Sequence, residues 1–96
     1  ALYLERATSN RINNNTLRNN DGGLYLHTSS DNDINGNLVC YNNSADFYLY
    51  NATNTGDNNT CDVPGDWSDT GTTGCSYTCE GNWVYLPVII RQQTSR

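Results

Sequence analysis

The sequence predicts an all-β fold, a parallel β-helix or β-solenoid of about three to four coils. The first observation is a repeat: Leu2-Tyr3-Leu4 returns as Leu24-Tyr25-Leu26, as Phe47-Tyr48-Leu49 and as Val84-Tyr85-Leu86. Periods of roughly 20 to 50 residues are typical of stacked repeats. The second is that short β-branched or aromatic pieces lie between clusters of Asn, Gly and Ser, which are strand and turn signals, whereas no long stretch has helical apolar spacing.

Each Leu-Tyr-Leu strand has an inner and an outer face. Because side chains alternate along a strand, the two outer residues of the tripeptide point one way and the tyrosine points the other way. The predicted interior is Leu2, Leu4, Leu24, Leu26, Phe47, Leu49, Val84 and Leu86, joined by Ile12, Leu17, Ile34 and Val39. The tyrosines Tyr3, Tyr25, Tyr48 and Tyr85 then form a ladder on the outer surface.

Asparagine recurs at matching turn positions. It tolerates left-handed backbone and, when stacked, bonds to its own kind in ladders. We predict three such pairs, Asn10 over Asn32, Asn15 over Asn37, and Asn20 over Asn42. The segment Asn10-Arg11-Ile12 matches Asn32-Asp33-Ile34, and Asn59-Thr60-Cys61 is interpreted as a third, displaced copy.

The chain is interpreted as one domain, 1–96. Its predicted parts are coils near 2–23, 24–46 and 47–62, a disulfide loop at 61–83, and a C-terminal strand and tail at 84–96. Trp67 and Trp83 are expected to pin the loop over the coils. The chain begins at Ala1 rather than Met, as expected of a processed or excised segment.

Composition excludes some partners. The formal net charge is −5, and the sequence has no lysine. An acidic domain without a basic patch argues against nucleic acid as a partner. No apolar run approaches 18 residues, so no membrane span is predicted.

The four cysteines favour an extracellular protein with two disulfides over a metal site, with three connectivities left open. They are Cys40, Cys61, Cys75 and Cys79. Four N-x-[ST] sequons are candidates for N-glycosylation in such a protein; they begin at Asn14, Asn42, Asn51 and Asn58.

The rungs N-N-T-[IL]-x-N-N and [LI]-Y-L resemble the right-handed parallel β-helix repeats of NosD-like and related polysaccharide-associated proteins. The segment from Asn58 to Cys79 resembles the cysteine-containing end segment of archaeal β-helix surface proteins. Together the resemblance covers residues 1 to about 80. It implies a right-handed parallel β-helix with an extracellular, non-catalytic surface role.

Acidic residues are the only other candidates for chemistry. They cluster at Asp31/Asp33, Asp57/Asp62 and Asp66/Asp69. None recurs beside the tyrosine ladder, so we interpret them as solvated turn residues rather than as catalytic groups, and we predict no enzyme and no required cofactor. Calcium in the 57–69 loop is kept as a hypothesis. The single histidine, His27, is expected to be an exposed surface residue.

We predict that the protein is a self-assembling subunit of a cell-surface filament or coat, through head-to-tail strand stacking. The predicted contacts are apolar strand residues near the two ends, Leu2, Leu4, Val84, Leu86, Val88, Ile89 and Ile90. Two alternatives stay open. One is a carbohydrate-binding or adhesion module whose tyrosine ladder stacks on surface glycans, and the other is the C-terminal cap of a longer β-helix surface protein.

Overall fold

The computed structural model describes residues 1–79, and within them every regular element is a β-strand. The all-β prediction is therefore confirmed. No helix in these residues is long and apolar enough to cross a membrane. The eight strands are β1 (Leu2–Glu5), β2 (Arg11–Asn13), β3 (Thr16–Arg18), β4 (Leu24–His27), β5 (Asp33–Asn35), β6 (Leu38–Cys40), β7 (Phe47–Tyr50) and β8 (Thr60–Cys61).

The strands come from three successive repeats, and each pairs in parallel with its counterpart in the next repeat. Repeat 1 holds β1–β3, repeat 2 holds β4–β6, and repeat 3 holds β7 and β8. Three sheets result, with strand orders β1-β4-β7, β2-β5 and β3-β6-β8. The register is that of the sequence repeat, since Tyr3 pairs with Tyr25 and Tyr25 pairs with Tyr48.

The core lies between the three sheets and is filled by the inward residues of the repeats. Leu24, Leu26, Ile34, Val39 and Phe47 are all buried. Burying a side chain of this size stabilises a fold by about 1.5–3 kcal/mol. In repeat 1 the equivalent residue Ile12 is also buried, whereas Leu2, Leu4 and Leu17 are half-buried. The inward residues are therefore most completely buried in repeat 2.

Left-handed turn residues recur at the same places in successive repeats. Asn14, Gly36 and Asn58 follow the middle strand position of each repeat, with φ of 58°, 65° and 58°. Asn and Gly are the residues that adopt this conformation at the lowest cost. This column fixes the corner between the β2-β5 sheet and the β3-β6-β8 sheet.

The predicted match of Asn59-Thr60-Cys61 with Asn10-Arg11-Ile12 is wrong. Thr60 pairs with Leu38 and Cys61 pairs with Val39. Asn59 therefore belongs one corner later, in the column of Asn15 and Asn37. The position of Asn10 and Asn32 is taken in repeat 3 by Asn54, and Asp33 forms a parallel bridge with Thr55.

Residues 62–79 fold back over repeat 3. Trp67 is buried, and its ring stacks on Phe47 with centroids 5.2 Å apart. Two disulfides hold the segment, Cys40–Cys79 and Cys61–Cys75. The loop thus covers the repeat-3 end of the core. Trp67, which was expected to pin the loop over the coils, is the residue that stacks on Phe47 there.

Candidate functional site

A ladder of three asparagines runs through the repeats, and its members Asn37 and Asn59 are buried. The backbone N–H of Asn15 donates to Oδ1 of Asn37 at 2.9 Å, and the N–H of Asn37 donates to Oδ1 of Asn59 at 2.9 Å. The carboxamide Nδ2 of Asn37 donates to Ile12 O at 2.7 Å and to Asn59 Oδ1 at 3.0 Å. Buried polar groups need such partners, so the ladder holds the repeats in one register.

Two flanking ladders follow the same rule. In the first, the N–H of Asn10 donates to Asn32 Oδ1 at 2.8 Å, and the N–H of Asn32 donates to Asn54 Oδ1 at 2.9 Å. In the second, the N–H of Asn20 donates to Asn42 Oδ1 at 3.0 Å. All three predicted asparagine pairs are therefore present as hydrogen-bonded neighbours.

Asp69 ends the central ladder. Its Oδ2 accepts the N–H of Asn59 at 2.9 Å, and its Oδ1 accepts Asn59 Nδ2 at 2.7 Å. The same carboxylate accepts Trp67 Nε1–H at 2.8 Å and both the N–H and the hydroxyl of Ser76. The carboxylate thus occupies the place that the next asparagine of the ladder would take.

The interpretation of Asp69 as a solvated turn residue is wrong, because its side chain is buried. Burial acts to raise the pKa of this carboxyl, but hydrogen bonds from Asn59, Ser76 and Trp67 outweigh it, so the pKa lies below its usual 3.8. These bonds favour the ionised form. Asp69 is therefore a charged acceptor built into the interior.

Asp46 is a second buried carboxylate and contacts the last asparagine of the second flanking ladder through that residue's side chain. It is buried, its Oδ1 accepts Asn42 Nδ2 at 2.8 Å, and its Oδ2 accepts the N–H groups of Asp62 and Val63. At the corresponding ladder position of repeat 3 the chain has Pro64, which lacks an N–H. Asp46 was not predicted as a site residue from the sequence. The signal that could have found it is an acidic residue directly before the strand Phe47-Tyr48-Leu49.

The outer tyrosines form a stacked column. Tyr3 and Tyr25 have ring centroids 5.6 Å apart, and Tyr25 and Tyr48 lie 4.8 Å apart with planes 8° from parallel. Beside them, His27 stacks on Tyr50 at 4.9 Å and is half-buried rather than exposed. The facing sides of the Tyr25 and Tyr48 rings cover each other. A concavity of about 330 Å³ lies against the column and is lined by Tyr3, Tyr25, Leu26, His27, Tyr48, Leu49 and Tyr50.

The repeat-1 end is open within residues 1–79. β1 and β3 are edge strands of their sheets, and no described strand pairs with their outer edges. A shallow concavity of about 360 Å³ lies at this end. Its lining is Leu2, Leu4, Ala7, Asn10, Arg11, Ile12 and Asn15.

The sequons differ in their surroundings. Asn14, Asn51 and Asn58 are exposed. Asn42 is half-buried, and its Nδ2 donates both to Leu17 O and to Asp46 Oδ1. The remaining predicted site residues, Tyr85 and the apolar residues Val84, Leu86, Val88, Ile89 and Ile90, lie outside the described residues.

Three acidic residues of the 57–69 loop, Asp57, Asp62 and Asp69, accept hydrogen bonds from the protein, whereas Asp66 is exposed. Asp57 Oδ1 accepts the N–H of Asn58 and the Ser76 hydroxyl, and Asp62 Oδ1 accepts the N–H of Cys79. Among residues 1–79, no three His, Cys, Asp or Glu side chains gather into a group that could hold a metal ion.

Residues 1–86 match the family described as periplasmic copper-binding protein (NosD). No curated protein and no solved structure matches the chain. The in-register pairing of 22-residue repeats extends over most of the matched region.

Copper, which the family description implies, does not fit the residues of this chain. Copper prefers thiolate, thioether and imidazole ligands. The sequence has no methionine and one histidine, and its four cysteines are all in disulfides. His27 itself stacks on Tyr50 and has no second imidazole to join it. We derive no step that uses copper.

The oxidised chain is therefore expected to retain no copper. After equilibrium with Cu(II), or with Cu(I), and gel filtration, elemental analysis should find well under one copper per chain. Because a lone imidazole binds Cu(II) weakly, any small amount of Cu(II) that wild type retains should be absent from the His27→Ala variant. One tightly held copper per chain in both proteins would contradict the donor argument.

The disulfides indicate an oxidising compartment outside the cytoplasm, in agreement with a periplasmic family. The match covers 86 of the 96 residues. Despite its unsuitable copper donors, this chain belongs to the NosD family.

Proposed function

We propose that the chain is a non-catalytic structural protein of the cell surface, whose copies assemble head to tail into a filament or coat. The observation that carries this proposal is the outer edge of β1, with which no strand in residues 1–79 pairs. On its inner edge, β1 pairs in register with the Leu-Tyr-Leu strand β4. A further strand of the same pattern would continue the sheet on the free edge.

The proposed architecture is a right-handed parallel β-helix. Its support is the parallel, in-register pairing of equivalent strands in three sheets, together with membership of the NosD family. The resemblance of 58–79 to the end segment of archaeal surface proteins is the basis for proposing an archaeal surface origin. The exposed sequons at Asn14, Asn51 and Asn58 support glycosylation as part of the same proposal.

The proposed donor of the added strand is the segment Val84–Ile90 of another copy. It contains Val84-Tyr85-Leu86, the fourth copy of the pattern, followed by Val88, Ile89 and Ile90. These residues would cover Leu2 and Leu4, which are half-buried on the open end. Because the two contacting surfaces differ, the contact is heterologous, and it produces a filament when the rotation does not close a ring.

The absence of catalysis is also a proposal. The two most buried carboxylates, Asp46 and Asp69, are occupied as acceptors of ladder and loop donors. A catalytic carboxylate must instead reach its substrate.

Two other functions are weighed against assembly. Sugar binding by the tyrosine column is the first candidate, since a concavity of about 330 Å³ lies against Tyr3, Tyr25 and Tyr48, although the facing sides of the Tyr25 and Tyr48 rings cover each other. The C-terminal cap of a longer β-helix is the second candidate, since Asp69 and Trp67 close the repeat-3 end while repeat 1 is open. In that case repeat 1 would be covered by an earlier coil rather than by another copy.

Assembly is tested by negative-stain electron microscopy and sedimentation of the full, oxidised chain. We expect ligand-independent filaments, and we expect the double variant Ile89→Asp, Ile90→Asp to stay monomeric, because buried unpaired carboxylates are costly in an apolar contact. The matched control is Thr94→Asp, Ser95→Asp, which adds the same charge in the polar tail and should still assemble.

Three results would contradict the proposal. They are a wild-type chain that stays monomeric at high concentration, filaments that persist in the Ile89/Ile90 double variant, and particles that form only when glycans are added. A persistent monomer would favour the cap of a longer β-helix. Glycan-dependent particles would favour adhesion.

A further inference from the structure

We infer that the open end of repeat 1 recognises a second copy of this chain through three ladder asparagines, Asn10, Asn15 and Asn20. The inference rests on the proposed assembly and names the groups that set its register. The apolar residues at this end would supply contact area, and the asparagines would decide which backbone alignment is accepted.

The inner ladders show what an asparagine at these positions does toward the preceding repeat. Its Oδ1 accepts the backbone N–H of the residue stacked before it, as Asn37 does from Asn15. Its Nδ2 donates to a carbonyl 25 residues earlier, as Asn59 does to Ile34 O at 2.8 Å. The same donation joins Asn32 to Ala7 O at 3.1 Å and Asn42 to Leu17 O at 3.3 Å.

In repeat 1 the acceptors of this pattern have no donor in the described part of the chain. Asn10, Asn15 and Asn20 give their backbone N–H groups to repeat 2. No described group donates to the Oδ1 of any of the three. Asn10 and Asn15 also line the concavity beside Leu2 and Leu4. The end therefore presents apolar surface flanked by carboxamide oxygens.

The matching partner is an extended backbone that runs parallel to β1 and turns its N–H groups toward these oxygens. Repeat 3 of another copy supplies few of them, because Asp69 takes the N–H of Asn59 and Pro64, at the position that matches Asn42, has no N–H. The segment after residue 79 of another copy fits better. It carries the Leu-Tyr-Leu pattern that pairs with β1, and Gln92 follows Val84 by eight residues, as Asn10 follows Leu2.

The test compares critical concentrations for assembly, measured by pelleting the full, oxidised chain. Asn10→Ala, Asn15→Ala should raise this concentration about tenfold, because hydrogen bonds to the partner are lost. Asn13→Ala, Asn43→Ala removes two exposed carboxamides that accept no backbone N–H of the three ladders; Asn13 Oδ1 accepts only Asn35 Nδ2, at 3.4 Å. This variant should change the value less than about twofold. Thermal unfolding of each variant checks that the fold is intact.

A second pair of substitutions isolates the acceptor. Asn10→Asp keeps an oxygen at a position whose Nδ2 bonds only to the exposed Thr8 O, so it should assemble better than Asn10→Ala. Asn15 is left unchanged here because its Nδ2 donates to Asn37 Oδ1. The inference would be overturned if wild type forms filaments and the alanine variant has the same critical concentration. It would also be overturned if the aspartate variant assembles no better than its alanine counterpart. Either result would leave the proposed assembly standing. A wild-type chain that never assembles would refute the assembly itself.

Discussion

Replacement of Asp69 with alanine is expected to lower the free energy of unfolding by about 3–5 kcal/mol, because several donors lose their acceptor in a buried place. Those donors are the N–H and Nδ2 of Asn59, the indole N–H of Trp67, and the N–H and hydroxyl of Ser76. Urea unfolding with the disulfides intact measures the loss.

The matched control is Asp66→Ala, which removes an exposed carboxylate from the same loop. It should change the free energy of unfolding by less than about 0.5 kcal/mol. Equal effects of the two substitutions would show that Asp69 does not hold the ladder end. Asn59 and Trp67 would then have other partners.

The pH dependence of stability gives a second test of the same carboxylate. The folded-state pKa of Asp69 lies below its usual 3.8. Its contribution is therefore present above pH 3.8 and is lost as the pH falls through the folded-state pKa. Wild type should lose stability over this acidic range more steeply than the Asp69→Asn variant, which has no titratable group at position 69. Parallel acid limbs would contradict the assignment of the charge.

Loss of the Cys40–Cys79 disulfide has the second large expected effect. The double variant Cys40→Ala, Cys79→Ala removes a bond that spans 39 residues. The loop-entropy relation gives about 4 kcal/mol for a loop of this length. Both sulfurs are also buried, so the substitution leaves a small cavity. Urea unfolding should show a midpoint well below that of wild type.

The other disulfide is the comparison. Cys61→Ala, Cys75→Ala opens a bond that spans 14 residues, and the same relation gives about 3 kcal/mol. Removal of Cys40–Cys79 is expected to lower the free energy of unfolding more than removal of Cys61–Cys75, and this order is the result to check. A larger loss from Cys61–Cys75 would mean that local packing around Trp67, rather than loop closure, dominates.

The repeat could be predicted because it depends on side-chain period and on asparagine spacing, both visible in the letters. Leu2-Tyr3-Leu4 pairs with its next copy as its spacing indicates. Asn15 and Asn37 are neighbours for the same reason. Such features are local consequences of strand alternation and of the conformations that Asn tolerates.

The third repeat was harder to align with the first two from the sequence, because its spacing is uneven. Tyr48 follows Tyr25 by 23 residues, whereas Asn54 follows Asn32 by 22. Asn59-Thr60-Cys61 resembles the earlier Asn10-Arg11-Ile12 in its letters alone, and only the hydrogen-bond register assigns it to the later corner. Sequence similarity between three-residue turns does not decide such a choice.

The ladder ends could not be predicted because they depend on how a loop folds back. In the sequence, Asp69 stands among Ser, Thr and Gly, as a solvated turn residue would. Its burial results from the return of residues 62–79 over Phe47. Asp69 accepts hydrogen bonds from residues up to ten positions away in the sequence. Its immediate sequence neighbours therefore say little about its burial.

The Cys40–Cys79 bond also determines how this rod would come apart under tension. It ties repeat 2 to the segment beyond repeat 3, so the two cannot separate while the bond is intact. No disulfide reaches repeat 1, which is held to repeat 2 by parallel backbone bonds and asparagine carboxamides. A force that pulls on the two ends of the chain would therefore extend repeat 1 and the part of repeat 2 before Cys40. The 39-residue span closed by the Cys40–Cys79 bond would carry no load until that bond is reduced.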